Sequence, residues 1–180
     1  MFINIITPCS RPQNLHTIAK SINIPRENYR WIVVFDSEEL PSEELIPEEC
    51  EAYAYKNVES ISGNGQRNYA IDKVERGYLY FNDDDTIMHK DLWESIREIN
   101  ADFVTFSQEW PDGTIRLEGK NIGVNFTDSH NFIVNHNIVG EVRFRLGVYA
   151  ADGFFAFDTA SKTKNIAYIP KVLSTYNLLR

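Results

Sequence analysis

The sequence is poor in the residues that build disulfide-stapled, collagen-like or disordered proteins. Its 180 residues include only two cysteines, nine glycines and seven prolines. Cys9 and Cys50 are too few for a disulfide framework and have no CxxC or other metal-ligand spacing, so we expect a reducing compartment and a cytoplasmic protein. Apolar residues make up 43% and charged residues 24%, which is ordinary for a globular protein. We therefore expect one folded domain over 1–180.

Positive charge and long hydrophobic runs are also scarce. Lys and Arg number 18 against 26 Asp and Glu, which gives a net charge of −8. This balance argues against a broad phosphate-binding surface for nucleic acid, so we expect a small or neutral partner. The longest apolar runs, such as Trp31–Phe35, are as short as a strand, whereas a membrane helix needs roughly 20 residues. We expect no transmembrane segment.

The first part of the chain has the pattern of a strand, a helix and a second strand. Phe2–Ile6 is apolar and β-branched, and it predicts a buried strand. Apolar residues then recur every three or four positions over 15–22, which predicts a helix, and Trp31–Phe35 predicts the second strand. Such a crossover makes the two strands parallel, with ligands gathering at their carboxyl ends. Asp36 directly follows the second strand and is expected at such a position.

The remaining pattern predicts an α/β fold with a mostly parallel central sheet flanked by helices and a mixed second half. A glutamate-rich stretch over 37–51 predicts a solvated loop or a short helix. Further predicted helices are Gln66–Arg76, Asp91–Ile99 and Asp152–Ala160; further predicted strands are Tyr53–Tyr55, Tyr78–Phe81, Phe103–Phe106, Ile115–Leu117, Phe132–Val134 and Ile166–Tyr176. The turn residues over 111–114 predict a hairpin between two of these strands.

Three consecutive aspartates, Asp83–Asp85, follow the predicted strand Tyr78–Phe81. Like charges at this distance raise one another's pKa unless a cation neutralises them. Mg²⁺ and Mn²⁺ commonly bind through one or two carboxylates together with the phosphates of a nucleotide. The alternative is a solvated turn that caps a helix. The position at a strand end favours a metal site.

A glycine-rich segment, Gly63–Gly65, precedes the predicted helix that contains Arg67. Its backbone N–H groups could approach a phosphate, and the arginine could supply a planar fork of donors. The alternative is a simple turn. Neither a P-loop nor a GxGxxG motif is present, which argues against ATPase and nicotinamide-dependent activities.

Asp152 stands among apolar residues, where desolvation raises a carboxyl pKa towards a value useful for a general base. It is also placed to cap the following helix, and the two roles can coexist. Asp128 and Asp158 are the next carboxylates that could act as the base. His130 lies before a predicted strand, either at a pocket rim or in a surface loop.

These motifs resemble those of glycosyltransferases with the GT-A fold. Ile5–Pro12 and Val33–Asp36 resemble the opening of family-2-type transferases. Gly65–Ile71 followed by Gly77–Thr86 is similar to the β-1,3-glucuronyltransferases, which use a UDP-sugar and Mn²⁺. One departure is that Ile169–Tyr176 lacks the histidine that many relatives place near the metal or diphosphate.

The resemblance implies a nucleotide-binding half over 1–100 and an acceptor-binding, catalytic half over 101–180. Its implied nucleotide-binding residues are Thr7, Pro8, Arg11, Asp36, Gly65, Arg67, Asp83 and Asp84; Asp36 would accept from uracil N3–H, Asp83 would face the ribose, and Asp84 would contact the metal through water. Asp85 would bind Mn²⁺ or Mg²⁺ directly, and Asp152 would deprotonate the acceptor hydroxyl.

The expected function is that of a metal-dependent inverting glycosyltransferase, which moves a hexose from a nucleotide-diphosphate sugar, a UDP-sugar, to a glycan or another hydroxyl acceptor. One alternative is a metal-dependent nucleotidyltransferase or phosphohydrolase, although a Gly-rich GxGTR-like loop is missing from Thr7–Pro12. The other is a non-catalytic sugar-nucleotide-binding module.

Overall fold

One eight-stranded mixed sheet carries the fold in a computed structural model that describes all residues, 1–180. Its strands are β1 (Ile3–Cys9), β2 (Tyr29–Phe35), β3 (Cys50–Ala54), β4 (Tyr78–Phe81), β5 (Phe103–Glu109), β6 (Ile115–Leu117), β7 (Phe132–Asn135) and β8 (Ile166–Thr175). The helices are α1 (Leu15–Ser21), α2 (Asn64–Ile71), α3 (Leu92–Ile96), α4 (His136–Val139) and α5 (Ala151–Ala160). None of these helices combines the length and the apolar character that a membrane span requires.

The sheet has a parallel part and a mixed part, as predicted. The strand order is β3-β2-β1-β4-β7-β5-β6, and β8 pairs with β5. β1 lies parallel to both β2 and β4, and β2 lies parallel to β3. β7 is antiparallel to both β4 and β5, and the predicted hairpin is formed by the antiparallel pair β5 and β6. β8 runs parallel to β5.

The sheet is buried on both faces, which explains the unbroken apolar runs of its central strands. Successive side chains of a strand point to opposite faces. In β2, Trp31 and Val33 join the 21-residue apolar cluster that includes residues of α1 and α3. Ile32 and Val34 join the 17-residue cluster that includes residues of α2 and α5. Helices thus pack against both faces of the sheet.

Several element boundaries differ from the predicted ones. β1 extends through Thr7 and Pro8 to Cys9, three residues beyond the predicted strand Phe2–Ile6. Proline is tolerated there because β4 pairs only with Ile3–Ile6, so the strand has a free edge at Pro8. α2 and α3 are shorter than predicted, and α4 was not predicted.

Candidate functional site

A cleft of about 420 Å³ opens at the edge of the sheet where β1, β2 and β4 end. Because these strands are parallel, the segments that follow them converge at this edge. The start of α5 and the residues after β8 close the other side. The predicted site residues that line the cleft are Pro8, Arg11, Asp36, Arg67, Asp83, Asp84, Asp85 and Asp152. The structure thus brings together residues that are up to 144 positions apart in the chain.

Thr7 and Gly65, two of the residues predicted to contact a nucleotide, do not line the cleft. Thr7 is completely buried. Its hydroxyl donates to the Asn82 carbonyl at 2.7 Å and accepts from the Trp31 indole at 2.9 Å, so it ties β1 to the segment after β4. The N–H of Gly65 donates to the Ser60 hydroxyl at 2.7 Å. Both residues therefore position the cleft walls.

Gly63 places α2 close against the end of β1. It precedes the helix with φ at +75°, in the left-handed region that favours glycine. A Cβ atom at this position would lie 2.7 Å from the Cβ of Pro8. The glycine therefore permits the close approach that brings Arg67 into the cleft.

Asp83 is a fixed anion at the base of the cleft. Arg67, which is buried, bonds to one carboxylate oxygen at 2.5 Å, and His130 Nε2 lies 3.2 Å from the other. Burial by itself raises the pKa of Asp83, but the positive charges of Arg67 and His130 outweigh it and hold this pKa well below its ordinary value. The carboxylate is thus charged and oriented.

His130 is buried behind Asp83, and the surface-loop alternative is therefore wrong. Burial lowers the pKa of His130, but the carboxylates of Asp83 and Asp128 raise it to about 9. The Nε2 atom also lies 2.8 Å from the backbone nitrogen of Asp83. A neutral ring accepts from that N–H, and a protonated ring donates to the carboxylate. In either form His130 connects Asp83 to the second half of the chain.

Asp84 clamps the loop after β1 onto the turn after β4. Its Oδ2 accepts from the backbone N–H groups of Ser10 at 2.5 Å and Arg11 at 2.6 Å. Its Oδ1 accepts from the Arg11 guanidinium at 2.6 Å. Both oxygens are therefore engaged by the protein. The observed bonds show that Asp84 positions the loop, and its contact with a metal through water stays a prediction.

Asp85 is the least compensated of the three aspartates. It is only 4% exposed, and burial followed by the charge of Asp83 raises its pKa. Its closest cation is the exposed Arg180, whose Nε lies 2.9 Å from Oδ2. No three His, Cys, Asp or Glu side chains form a closed metal site. A buried, poorly neutralised carboxylate nevertheless fits a Mg²⁺ or Mn²⁺ ion that takes its other ligands from phosphates and water.

Asp36 directly follows β2 and lines the cleft. Its backbone N–H donates to the Cys9 carbonyl at 2.9 Å. Its Oδ1 accepts from Gln66 Nε2 at 3.0 Å and lies 3.2 Å from Lys56 Nζ. The Oδ2 atom has no partner in the protein and is available to a ligand.

Asp152 lies in the first turn of α5 and lines the cleft. The N-cap interpretation is wrong, because the N-cap residue is Ala150 and no side chain caps this helix. The Asp152 carboxylate accepts only from the adjacent Gly153 N–H, at 2.7 Å. Burial and then the charge of Asp128 raise the pKa of Asp152 to about 6. This value suits a group that must accept a proton near neutral pH.

The cleft also contains residues to which the sequence assigned no role. Arg116 on β6 packs over the Tyr176 ring at 3.9 Å and bonds to Asp128 at 3.1 Å. Arg116 stands between the apolar residues Ile115 and Leu117 of the predicted strand. This alternation is a signal in the sequence that the Arg116 side chain lies on the opposite face of the strand from its two neighbours. No comparable signal exists for Tyr176, because its place depends on how β8 pairs.

Comparison with known proteins bears on the fold. Neither a protein-family model nor a curated protein matches the sequence. The structure is similar to residues 1–349 of S. aureus TarS, with a TM-score of 0.79 at 15% identity over 97% of this chain and 60% of that one. TarS in complex with UDP-GlcNAc gives a TM-score of 0.72 at 14% identity over 97% of this chain and 58% of that one.

A third similar structure is the mannosyltransferase PcManGT from Pyrobaculum calidifontis, in complex with GDP-Man and Mn²⁺. It gives a TM-score of 0.69 at 12% identity, over 97% of this chain and 56% of that one. The chain thus spans 60% or less of the length of these proteins. Together with the sheet order and the cleft at its carboxyl edge, the similarity shows that this protein has the GT-A glycosyltransferase fold.

Proposed function

We propose that the protein is a metal-dependent inverting glycosyltransferase that moves a hexose from a UDP-sugar to a hydroxyl acceptor. The observation that carries this proposal is the place of Asp152, a carboxyl group with a pKa near 6 in the same cleft as Asp36 and Asp83–Asp85. The complexes of similar structures with UDP-GlcNAc and GDP-Man support a nucleotide sugar as donor.

The donor would lie along the edge formed by β1, β2 and β4. Asp36 offers a free oxygen to the base, and Asp83, oriented by Arg67, offers its carboxylate to the ribose hydroxyls. Asp85 would hold Mn²⁺ or Mg²⁺, which supplies positive charge against both phosphates of the departing diphosphate. The Arg11 guanidinium lies 3.6 Å from the same carboxylate but is held by Asp84, whereas the exposed Arg180 guanidinium can turn towards the phosphates.

On the other side of the cleft, Asp152 would take the proton of the acceptor hydroxyl. The oxygen then attacks the anomeric carbon on the face opposite the leaving diphosphate, and the configuration inverts. This route needs one enzymic base and no covalent intermediate. Asp152 meets the requirement because its pKa is high enough to bind a proton and low enough to be ionised at neutral pH.

The loop after β1 argues against the nucleotidyltransferase alternative. Such an enzyme needs free backbone N–H groups to surround a triphosphate. Here the N–H groups of Ser10 and Arg11 bond to Asp84 instead. A binding module without catalysis has no use for a half-buried carboxyl group in the cleft with a raised pKa.

The test is to incubate the protein and Mn²⁺ with UDP-, GDP- and dTDP-sugars, with and without candidate acceptors, and to measure the released nucleotide. Acceptor-dependent release of UDP that is lost in Asp152→Asn supports the proposal. Asp158→Asn is the matched control, because Asp158, although predicted as an alternative base, does not line the cleft and pairs with Arg145 at the surface of the same helix. Binding without release identifies a binding module, and release of phosphate or pyrophosphate identifies the other enzyme classes.

A further inference from the structure

The end of the cleft at Asp36 is built to choose between nucleobases. We propose that Gln66 and Lys56 occupy one oxygen of Asp36, leave a single free acceptor, and thereby select uracil over guanine. This inference rests on the proposed function, because it requires that a nucleoside diphosphate binds with its base at Asp36.

The amide of Gln66 has only one orientation that satisfies its surroundings. Its Nε2 lies 3.0 Å from Asp36 Oδ1 and 3.0 Å from the Tyr55 carbonyl oxygen. The reversed amide would set its oxygen against two acceptors, so the nitrogen must face them. Gln66 is 2% exposed, and the N–H of Tyr55 is itself bonded to the Phe35 carbonyl. The donor that holds Asp36 is therefore rigid.

The two oxygens of Asp36 are not equivalent. Oδ1 accepts from Gln66 at 3.0 Å and from Lys56 Nζ at 3.2 Å, and two donors use both lone pairs of a carboxylate oxygen. Oδ2 receives no hydrogen bond from the protein. Since the Asp36 side chain is 45% exposed, this oxygen is accessible to a ligand. The site thus presents one acceptor, with the remaining N–H groups of the Lys56 ammonium beside it.

This arrangement matches the edge of uracil better than that of guanine. Uracil carries one N–H between two carbonyl oxygens, so Oδ2 can accept from N3–H while Lys56 donates to a neighbouring carbonyl. Guanine carries two adjacent donor groups, N1–H and N2–H₂, and the second would face an oxygen that is already saturated. Cytosine has no N3–H. A base N–H group that loses its water on binding and gains no acceptor weakens binding by about 10-fold.

The test is calorimetric titration of UDP, GDP and CDP, in the presence of Mn²⁺, into the parent protein and three variants. We expect the parent to bind UDP at least about 10-fold more tightly than GDP. Gln66→Leu and Lys56→Met each remove one of the two donors to Asp36 Oδ1, which can then accept from the second donor group of guanine. The ratio of UDP affinity to GDP affinity should therefore fall by about threefold or more in each variant. Lys90→Met is the matched control, because Lys90 is exposed outside the cleft, and its ratio should equal the parent ratio.

The affinity ratio is the decisive quantity, because loss of the Lys56 charge weakens both nucleotides while only the base contact changes their ratio. Because Gln66 is buried, a cooperative melting transition must first show that Gln66→Leu folds. The Lys56 side chain is 45% exposed, so Lys56→Met provides the same measurement without the risk of unfolding. If GDP binds the parent as tightly as UDP, or the ratio is unchanged in Lys56→Met, the inference is overturned while nucleotide binding still supports the proposed function. If no nucleoside diphosphate binds the parent, the proposed function itself fails.

Discussion

The Asp152→Asn substitution should make the protein more stable and nearly inactive. Asparagine has almost the same shape and can still accept from the Gly153 N–H, but it cannot take a proton at neutral pH. We therefore expect sugar transfer to fall by about 10² to 10⁴, the usual contribution of a general base. Binding of UDP with Mn²⁺ should be unchanged.

The gain in stability follows from the raised pKa. A carboxyl group that titrates near 6, where 3.8 is ordinary, is destabilised as an anion by at most about 3 kcal/mol at neutral pH. Solvent in the cleft and the lost attraction to the start of α5 reduce the net gain to about 1 to 2 kcal/mol. For a protein of this size, that gain raises the melting temperature by roughly 2 to 8 °C.

The pH dependence tests this reasoning directly. Between pH 4 and 6 the unfolded chain releases the Asp152 proton and the folded protein keeps it, so the parent loses stability as the pH rises through this window. The melting temperatures of parent and Asp152→Asn should therefore coincide at pH 4 and differ at pH 8, measured by scanning calorimetry. A constant difference refutes the assignment of the shift to Asp152, and transfer at the parental rate moves the base elsewhere, with Asp128 the next residue to test.

Four further outcomes are expected. UDP should bind much more tightly with Mn²⁺ than with EDTA, and Asp85→Ala should abolish that difference in calorimetry; equal affinities in the two buffers remove the metal assignment. Asp36→Ala should weaken UDP and narrow its advantage over CDP in the same assay, whereas an equal loss for both makes Asp36 a structural residue. Asp84→Ala should lower the free energy of unfolding by about 2 kcal/mol in urea titrations, since buried N–H groups lose their acceptor, whereas Asp85→Ala should not. In the parent, kcat/KM should fall as the pH drops below about 6, because Asp152 becomes protonated; a flat profile contradicts its role.

The parallel half of the fold could be predicted from the sequence because its signals are local. Phe2–Ile6 and Trp31–Phe35 are apolar at every or nearly every position. This pattern is typical of strands in a parallel sheet that is covered on both faces. The helix between them fixes their direction. Once the direction is known, the residues after each strand are expected at one edge, and the structure shows Asp36 and Asp83–Asp85 in one cleft there.

The second half could not be predicted to the same extent because its strands pair at a distance. β7 inserts antiparallel between β4 and β5, and β8 pairs with β5 with a shifted register near Pro170. The periodicity of apolar residues does not show which strands β7 and β8 pair with. Arg116, Tyr176 and Arg180 enter the cleft only through these pairings, so their part in the site became visible only in the structure.

The charges of the cleft separate into those that the fold neutralises and those that it leaves open. Arg67 balances Asp83, and Arg11 balances Asp84, so these two aspartates are part of a closed framework. Asp85 and Asp152 instead have raised pKa values, because burial and neighbouring carboxylates penalise their anionic forms. A positive partner would stabilise the anionic form of each carboxyl group. The protein offers Asp85 only the exposed Arg180 and pairs Asp152 with no cation. Under the proposed function the two partners arrive with the substrates, as a metal ion bound with the donor diphosphate at Asp85 and as the acceptor proton at Asp152.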